Sequence, residues 1–535
     1  MSPRQPKSHA SGARKDGRDD PRTVGVIELG TTSIRMVVAE VPGKGDFRIL
    51  DSLQRPVSLG KDTFTRGLID PGTTEECVSV LRSFLHVLEE YGVTDERRVS
   101  LVATSAVREA ANREAFLDRM VIATGIQVDV LNEAEVSRLT YLAVRPLLDD
   151  DPQFGRTDTV VIEVGGGSTE TLVFRKGKVF SAHMYRLGSL RLRGLLADTG
   201  TPRARTDQFM SHYVRDTAER ISATVSPASP VPLRMLALGS EARFACNQIQ
   251  TRPRNHGPNE LSVKALSDLT AEVLDLSVDA LVRRYRLTYP EAETLGPALM
   301  VYAQLARALK LRSMLVGEAT LRSGILADIS TRGAWTPEFK RQIVNSANAI
   351  GRKYKIDMRH ARNVARFSQR IFESMPSEHK LGARYELILY VAALLHECGY
   401  YVNNSSHHKH SFYLILNSDI FGLGSKDLLF AALVARYHRG AMPRPTHAEF
   451  MSLVREDRIV VSKMAAILRV ANALDREGSH HRRRCRVLLE PGLLAIELEG
   501  QGDLSLERHR MRERAVMFEQ VYGLRVEVRP MGAEE

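Results

Sequence analysis

The sequence predicts an α/β protein of two similar lobes with a ligand cleft between them, then an all-helical domain and a small α+β domain. Three stretches carry that expectation. VVIEVGGGSTETLVF (Val160 to Phe174) reads as strand, tight turn, strand, because β-branched and apolar runs flank three glycines. TVGVIELGTTSIRMVVAEV (Thr23 to Val41) repeats the same order: β-branched run, carboxylate, glycine, hydroxyls, second β run. From Thr336 to Asp475 the text is helical and rich in histidine.

The two turns carry the first functional reading. Glycines let a backbone approach a ligand closely. Consecutive amides in such a turn form an anion nest, and neighbouring hydroxyls add donors. Gly30, Thr31, Thr32 and Ser33 in the first turn, with Gly165, Gly166, Gly167, Ser168 and Thr169 in the second, are therefore candidate phosphate-binding residues. Carboxylates beside a phosphate cradle usually serve a divalent cation. Glu163 and Glu170 flank the second turn, and Glu28 stands at the matching place in the first. Glycine-rich hairpins also occur for structural reasons alone, and composition does not decide between the two readings.

A chain of 535 residues has room for roughly three or four domains of ~150 residues. With 43% hydrophobic and 26% charged residues it reads as globular and not fibrous or low-complexity. The net charge of +11 favours a polyanionic partner: nucleic acid, polyphosphate, a nucleotide or an anionic membrane surface. The cysteines, Cys77, Cys246, Cys398 and Cys485, form no CxxC pair, which argues for a reducing compartment and against a thiolate zinc site. No signal peptide or membrane-length apolar run is seen, so a cytoplasmic location away from membranes is expected.

In chain order, residues 1–22 are a polar, basic tail expected to be disordered. The first lobe is expected over 23–145, the second over 146–332, the helical domain over 333–485 and the α+β domain over 486–535. In that last part VLLE, LLAIELEG, RERAVMFEQVYG and LRVEVRP read as strand, strand, helix, strand. Arg482, Arg483, Arg484 and Arg486, next to His480 and His481, form a basic run that reads as a solvated linker or a polyanion track.

Two more residues stand out. Arg108 is the only arginine in ATSAVREAAN, and its planar fork suits a phosphate or, alternatively, an ion pair with Glu109 or Glu114. Glu135 lies in a helix start capped by Asn132, where a carboxylate ordinarily complements the helix dipole.

These segments together resemble a known family. ATSAVREAANREAF, LNEAEVSRLTYLAV, VIEVGGGSTE, YRLGSLRL, LRSGIL and HHKHS, in this order, resemble the Ppx/GppA family of the actin-like ATPase superfamily. The resemblance implies two actin-like (ribonuclease H-like) lobes, a helical HD-like domain and a homodimer formed through the later domains. It implies a Mg²⁺- or Mn²⁺-dependent phosphohydrolase that releases terminal orthophosphate from inorganic polyphosphate or from guanosine pentaphosphate. It implies no membrane partner and no specific nucleic acid. By resemblance Arg108 contacts phosphate and Glu135 activates the water, so Glu135→Gln is expected to be nearly inactive.

Departures from the pattern motivate a rival reading, a catalytically weakened binding protein for polyphosphate or a guanosine polyphosphate. Glu28 and Glu163 stand where the family has aspartates, Val136 replaces the second glutamate of a Glu-Glu pair, and LGSEARF replaces a Gly-Gly-Thr turn. In the helical domain His360, His396, Glu397, His410, His438 and Asp475 follow an HD-type order, with Glu397 in place of the namesake aspartate. Imidazoles and carboxylates on converging helices can hold a divalent metal.

Overall fold

The computed structural model describes residues 22–43, 46–197, 203–225, 232–250, 257–331, 335–475, 484–499 and 504–531. The expected tail, apart from Arg22, and most of the basic run that starts at His480 lie outside the described residues.

The repeat seen in the two turns extends to whole sheets. In the first lobe β1 (Arg22–Leu29), β2 (Ser33–Gly43) and β3 (Asp46–Pro56) form an antiparallel meander. β4 (Val99–Ala103) and β5 (Asp129–Val130) add in parallel, giving the order β3-β2-β1-β4-β5. In the second lobe β6 (Asp158–Val164), β7 (Thr169–Arg175) and β8 (Lys178–Tyr185) repeat the meander. β9 (Leu233–Leu238) and β11 (Ser313–Val316) add in parallel, and β10 (Asn259–Ser262) closes the edge, giving β10-β11-β9-β6-β7-β8. Strands covered on both faces need near-continuous apolar runs. Accordingly Val26, Ile27 and Leu29 in β1, and Val160, Val161 and Ile162 in β6, are all buried.

Two helices tie the lobes together. The helix Glu133–Asp149 follows β5, yet Tyr141, Val144 and Leu148 pack with Val161, Leu172 and Leu236 of the second sheet. The helix Leu321–Ser330 follows β11, yet Leu321, Ile325 and Leu326 pack with Val24, Val26 and Val37 of the first sheet. The pair crosses closely: a Cβ on Gly324 would lie 2.2 Å from the Leu139 carbonyl oxygen. Arg138 and Asp328 pair across the same crossing, with Nη2 3.0 Å from Oδ2.

The helical domain contains Pro337–Lys353, Met358–Ser374, Ala383–Leu395, His407–Leu416, Ser425–Arg436 and Arg455–Leu474. An aromatic cluster of Tyr141, Phe174, Phe339 and Phe421 joins it to the second lobe. The last domain has β12 (Cys485–Glu490) antiparallel to β13 (Leu493–Leu498), with β14 (Arg525–Pro530) parallel on the other side. Among the described residues no helix is long and apolar enough to cross a membrane.

Candidate active site

The two turns are built alike. In the first hairpin Glu28 faces Arg35 across the strands, and the Gly30 N–H donates to the Ser33 carbonyl at 3.1 Å. In the second Glu163 faces Glu170, and the Gly165 N–H donates to the Ser168 carbonyl at 2.8 Å. The loop carbonyls are held from outside the turns. Thr31 O accepts from the Gly60 amide at 2.8 Å, and Thr32 O from the Val57 amide at 3.0 Å. Gly165 O and Gly166 O accept from the Ser189 and Leu190 amides, each at 2.9 Å. Among the described residues none accepts from the amides of Thr31, Thr32, Gly166 or Gly167. Such a turn, with carbonyls engaged and amides available, is an anion nest.

The turns also meet across the cleft. A Cβ on Gly166 would lie 2.5 Å from Thr31 Oγ1, so only glycine permits this approach. The cleft is lined by Gly30, Thr31, Thr32, Gly165, Gly166 and Ser168. Ser33, Gly167 and Thr169 do not line it. Ser33 is buried, Gly167 packs against Phe64, and Thr169 Oγ1 donates to the Leu187 carbonyl. These three support the turns from behind.

Arg108 lines the cleft and donates to the Leu131 carbonyl at 2.6 Å. Neither ion pair open to it in the sequence forms: Glu109 takes Arg186 and Arg191, and Glu114 takes Arg113. Three more arginines reach the cleft that sequence reasoning did not single out: Arg35, Arg243 and Arg322. Arg35 was legible in principle, since it follows the turn at the position Glu170 holds in the repeat. Arg243 and Arg322 lie in LGSEARF and LRSGIL and arrive at the cleft by long-range packing.

The acidic residues converge as the repeat implies, with one difference. Glu28, Glu163 and Glu170 all line the cleft. Burial, then the charges of Glu170 and Glu28, push the Glu163 carboxyl up to about 7, against the pull of Arg243 and Arg35. Burial also raises Glu170, against hydrogen bonds from Ser137 and Thr140. Thr140 Oγ1 donates to Glu170 Oε2 at 2.8 Å, and Oε1 is buried with no hydrogen-bond partner among the described residues. The difference is Glu28, whose carboxylate is taken by Arg322. Two crowded carboxylates, one with an orphaned buried oxygen, are hard oxygen donors that fit a magnesium-type cation.

The structure does not bring Glu135 to the cleft. Its Oε2 accepts from the Asn132 amide at 2.9 Å while Asn132 Oδ1 accepts from the Glu135 amide at 3.0 Å. This is a capping box, and it turns the carboxylate back onto the helix end. The next residue, Val136, lines the cleft instead.

In the helical domain His360, His396, Glu397, Asp475 and His438 come together. His360 Nδ1 lies 2.6 Å from Asp475 Oδ2, and Glu397 Oε1 lies 3.7 Å from His360 Nε2. The His396 and His438 rings are 4.8 Å apart, and Asn472 flanks His396. His410 is not in this group; its place is taken by His407, whose Nε2 lies 3.3 Å from that of His438. The helix begins at His407 and buries His407, Ser411 and Ile415, so His410 falls to the side of that face.

The chain matches known proteins over most of its length. The Ppx/GppA phosphatase family model matches residues 36–332, and the model of Ppx/GppA phosphatase domain III matches residues 343–513. The chain is 22% identical over 457 residues to a guanosine-5'-triphosphate,3'-diphosphate pyrophosphatase of Photobacterium profundum, covering 83% of this chain and 84% of that one. It superposes on the crystal structure of an exopolyphosphatase from Cytophaga hutchinsonii ATCC 33406 with a TM-score of 0.50 at 19% identity, covering 58% of this chain and 98% of that one. The Aquifex aeolicus Ppx/GppA family member is similar with a TM-score of 0.47 at 21% identity, over 59% of this chain and 100% of that one. The first family model alone spans more than half of the chain and includes the second turn, so the chain belongs to the Ppx/GppA phosphatase family of hydrolases.

Proposed function

We propose that the interlobe cleft removes the terminal phosphoryl group of inorganic polyphosphate or of a guanosine pentaphosphate, releasing orthophosphate. The observation that carries this reading is the pair of like turns that meet in one cleft, where arginines also line the wall. Phosphoryl transfer asks mainly for positioning and charge stabilisation. The amides of Thr31, Thr32 and Gly166 hold the terminal phosphate. Arg35, Arg108 and Arg243 balance its charge, and Arg322 is fixed by Glu28. Glu163 and Glu170 are the residues that hold a divalent cation, Mg²⁺ or Mn²⁺. When bound, that ion neutralises phosphoryl oxygen charge and relieves the crowding of the two carboxylates. The Photobacterium profundum relative named above is a guanosine-5'-triphosphate,3'-diphosphate pyrophosphatase, which supports this substrate class.

A second reading is a regulatory protein that binds the same ligands with little turnover. It is favoured by one observation: the residue that the helix Glu133–Asp149 presents to the cleft is Val136, which cannot take a proton from water. The test is phosphate release by the full chain from polyphosphate and, separately, from guanosine pentaphosphate, with and without Mg²⁺. The proposal expects Mg²⁺-dependent orthophosphate from at least one. Tight binding of both with no orthophosphate from either leaves the regulatory reading standing and removes the first.

A further inference from the structure

The cleft does not end at its arginines. Arg108 and Met184 line both the cleft and a second chamber of about 470 Å³ beside it. That size is within the roughly 300–1,000 Å³ of small-molecule sites. Three parts of the chain wall the chamber. The helix Glu133–Asp149 supplies its first turn, and β8 supplies Ala182 to Tyr185. The loop between the helices His407–Leu416 and Ser425–Arg436 supplies Asp419 to Leu423.

That loop is held in place from several sides. The Phe421 amide donates to Ser346 Oγ at 3.0 Å, and the Phe421 ring packs edge-on to Tyr141 with centroids 5.5 Å apart. Gly424 abuts the cap of the helix Glu133–Asp149, where a Cβ would lie 3.1 Å from Asn132 Nδ2. At the rim His183 Nδ1, on β8, lies 3.4 Å from Asp419 Oδ2.

The chemistry of the chamber differs from that of the cleft. Ala134, Ala182, Met184, Ile420, Phe421 and Leu428 give it apolar walls. Among the described residues no lysine or arginine lines it besides Arg108 at the junction, whereas two acidic residues, Glu133 and Asp419, do. A polyphosphate chain carries only acceptor oxygens and negative charge, so acidic residues on apolar walls reject it. A flat base with N–H donors along one edge is the opposite case. Its faces bury against apolar and aromatic side chains, and ionised carboxylates only accept. Guanine sets its ring N–H and its exocyclic amine side by side, matching the two oxygens of a carboxylate, whereas adenine sets one amine beside an acceptor nitrogen.

We propose that this chamber seats the guanosine of a guanosine pentaphosphate whose terminal phosphate lies between the turns, with Glu133 and Asp419 accepting from the base edge and Arg108 holding phosphate at the junction. The chamber has this role only if the cleft binds the phosphates, as proposed above. It makes the nucleotide, and not inorganic polyphosphate, the preferred substrate.

The probes are GTP, ITP and inorganic tripolyphosphate, titrated into the full chain by calorimetry. All three carry three linked phosphates; ITP lacks the exocyclic amine of GTP, and tripolyphosphate lacks the nucleoside. GTP is expected to bind about tenfold more tightly than tripolyphosphate and about threefold more tightly than ITP, whose missing donor leaves a carboxylate unpaired. The Asp419 side chain is 76% exposed and Glu133 is also at the surface, so the double variant Glu133→Gln, Asp419→Asn should keep the wild-type near-ultraviolet circular dichroism. It should bind GTP and ITP equally, and tripolyphosphate more tightly than the wild type does. Tripolyphosphate binding reports on the cleft, and the preference for GTP reports on the chamber. Tripolyphosphate that binds as tightly as GTP overturns the proposal and leaves the cleft reading standing. A preference for GTP over ITP that persists in the folded double variant also overturns it, and failure of all three probes to bind removes both readings.

Discussion

Val136→Glu should raise the rate of phosphate release about a hundredfold. General-base help at a positioned carboxylate contributes roughly 100- to 10,000-fold, and Val136 is where the helix Glu133–Asp149 meets the cleft. The position accepts an acid: it lies in the first helical turn, where the dipole favours negative charge. Nearby Glu170 and Glu163 raise the affinity of a new carboxylate for a proton, which suits a base working near neutral pH. The cost is modest, because Val136 is only partly buried against the Leu139 and Leu321 cluster. Glu135→Gln is the control. Glutamine keeps the capping box, so release should stay at the wild-type rate. Steady-state orthophosphate assays on the three proteins decide. A folded Val136→Glu with unchanged turnover shows that a missing base does not limit this cleft.

Gly188→Ala should abolish phosphate binding while leaving the chain folded. A Cβ at this position would lie 2.3 Å from both the Gly166 carbonyl oxygen and the Gly167 carbonyl carbon. These are backbone atoms of the second turn, so no side chain can swing aside. The turn must move by about an ångström, which takes Gly166 O off the Leu190 amide and its N–H groups off the cleft. A misplacement of that size can cost on the order of 100-fold in rate. Since Gly188 sits at the start of the helix Ser189–Ala197 and not within a sheet, circular dichroism should be preserved. Polyphosphate binding by Gly188→Ala at wild-type strength would show that the second turn is not the cradle.

What the sequence made legible was local. The hairpins could be read because glycines, β-branched runs and carboxylates fall within fifteen residues, and the repeat doubled the signal. The repeat implied two similar lobes, but the strand order within each sheet was not visible, because β9 and β11 join through long connections with no shared motif. The packing of Leu321–Ser330 on the first sheet was hidden for the same reason: an amphipathic stripe states that a face is buried, not against what. Glu135 was misplaced although its signal was present. Asn132 followed by Glu135 is the spacing of a capping box, and that local bond fixes the helix phase that sends Val136 inward. His410 was chosen over His407 because a cluster of histidines does not show where a helix starts, and the start sets the face. Arg243 and Arg322 lie in LGSEARF and LRSGIL, segments quoted for the family pattern, but that their side chains reach the cleft is set by long-range packing.

The central claim is that the cleft between the two turns is where phosphate is released. Glu170→Gln tests it most directly. The change keeps the shape and the Thr140 bond, but removes the charge beside the orphaned Oε1. The measurement is orthophosphate release from polyphosphate over a Mg²⁺ titration, on wild type and Glu170→Gln side by side. The account predicts at least a hundredfold loss in Glu170→Gln at every Mg²⁺ concentration, with the fold intact by circular dichroism. Release at the wild-type rate, with the same Mg²⁺ dependence, would contradict it.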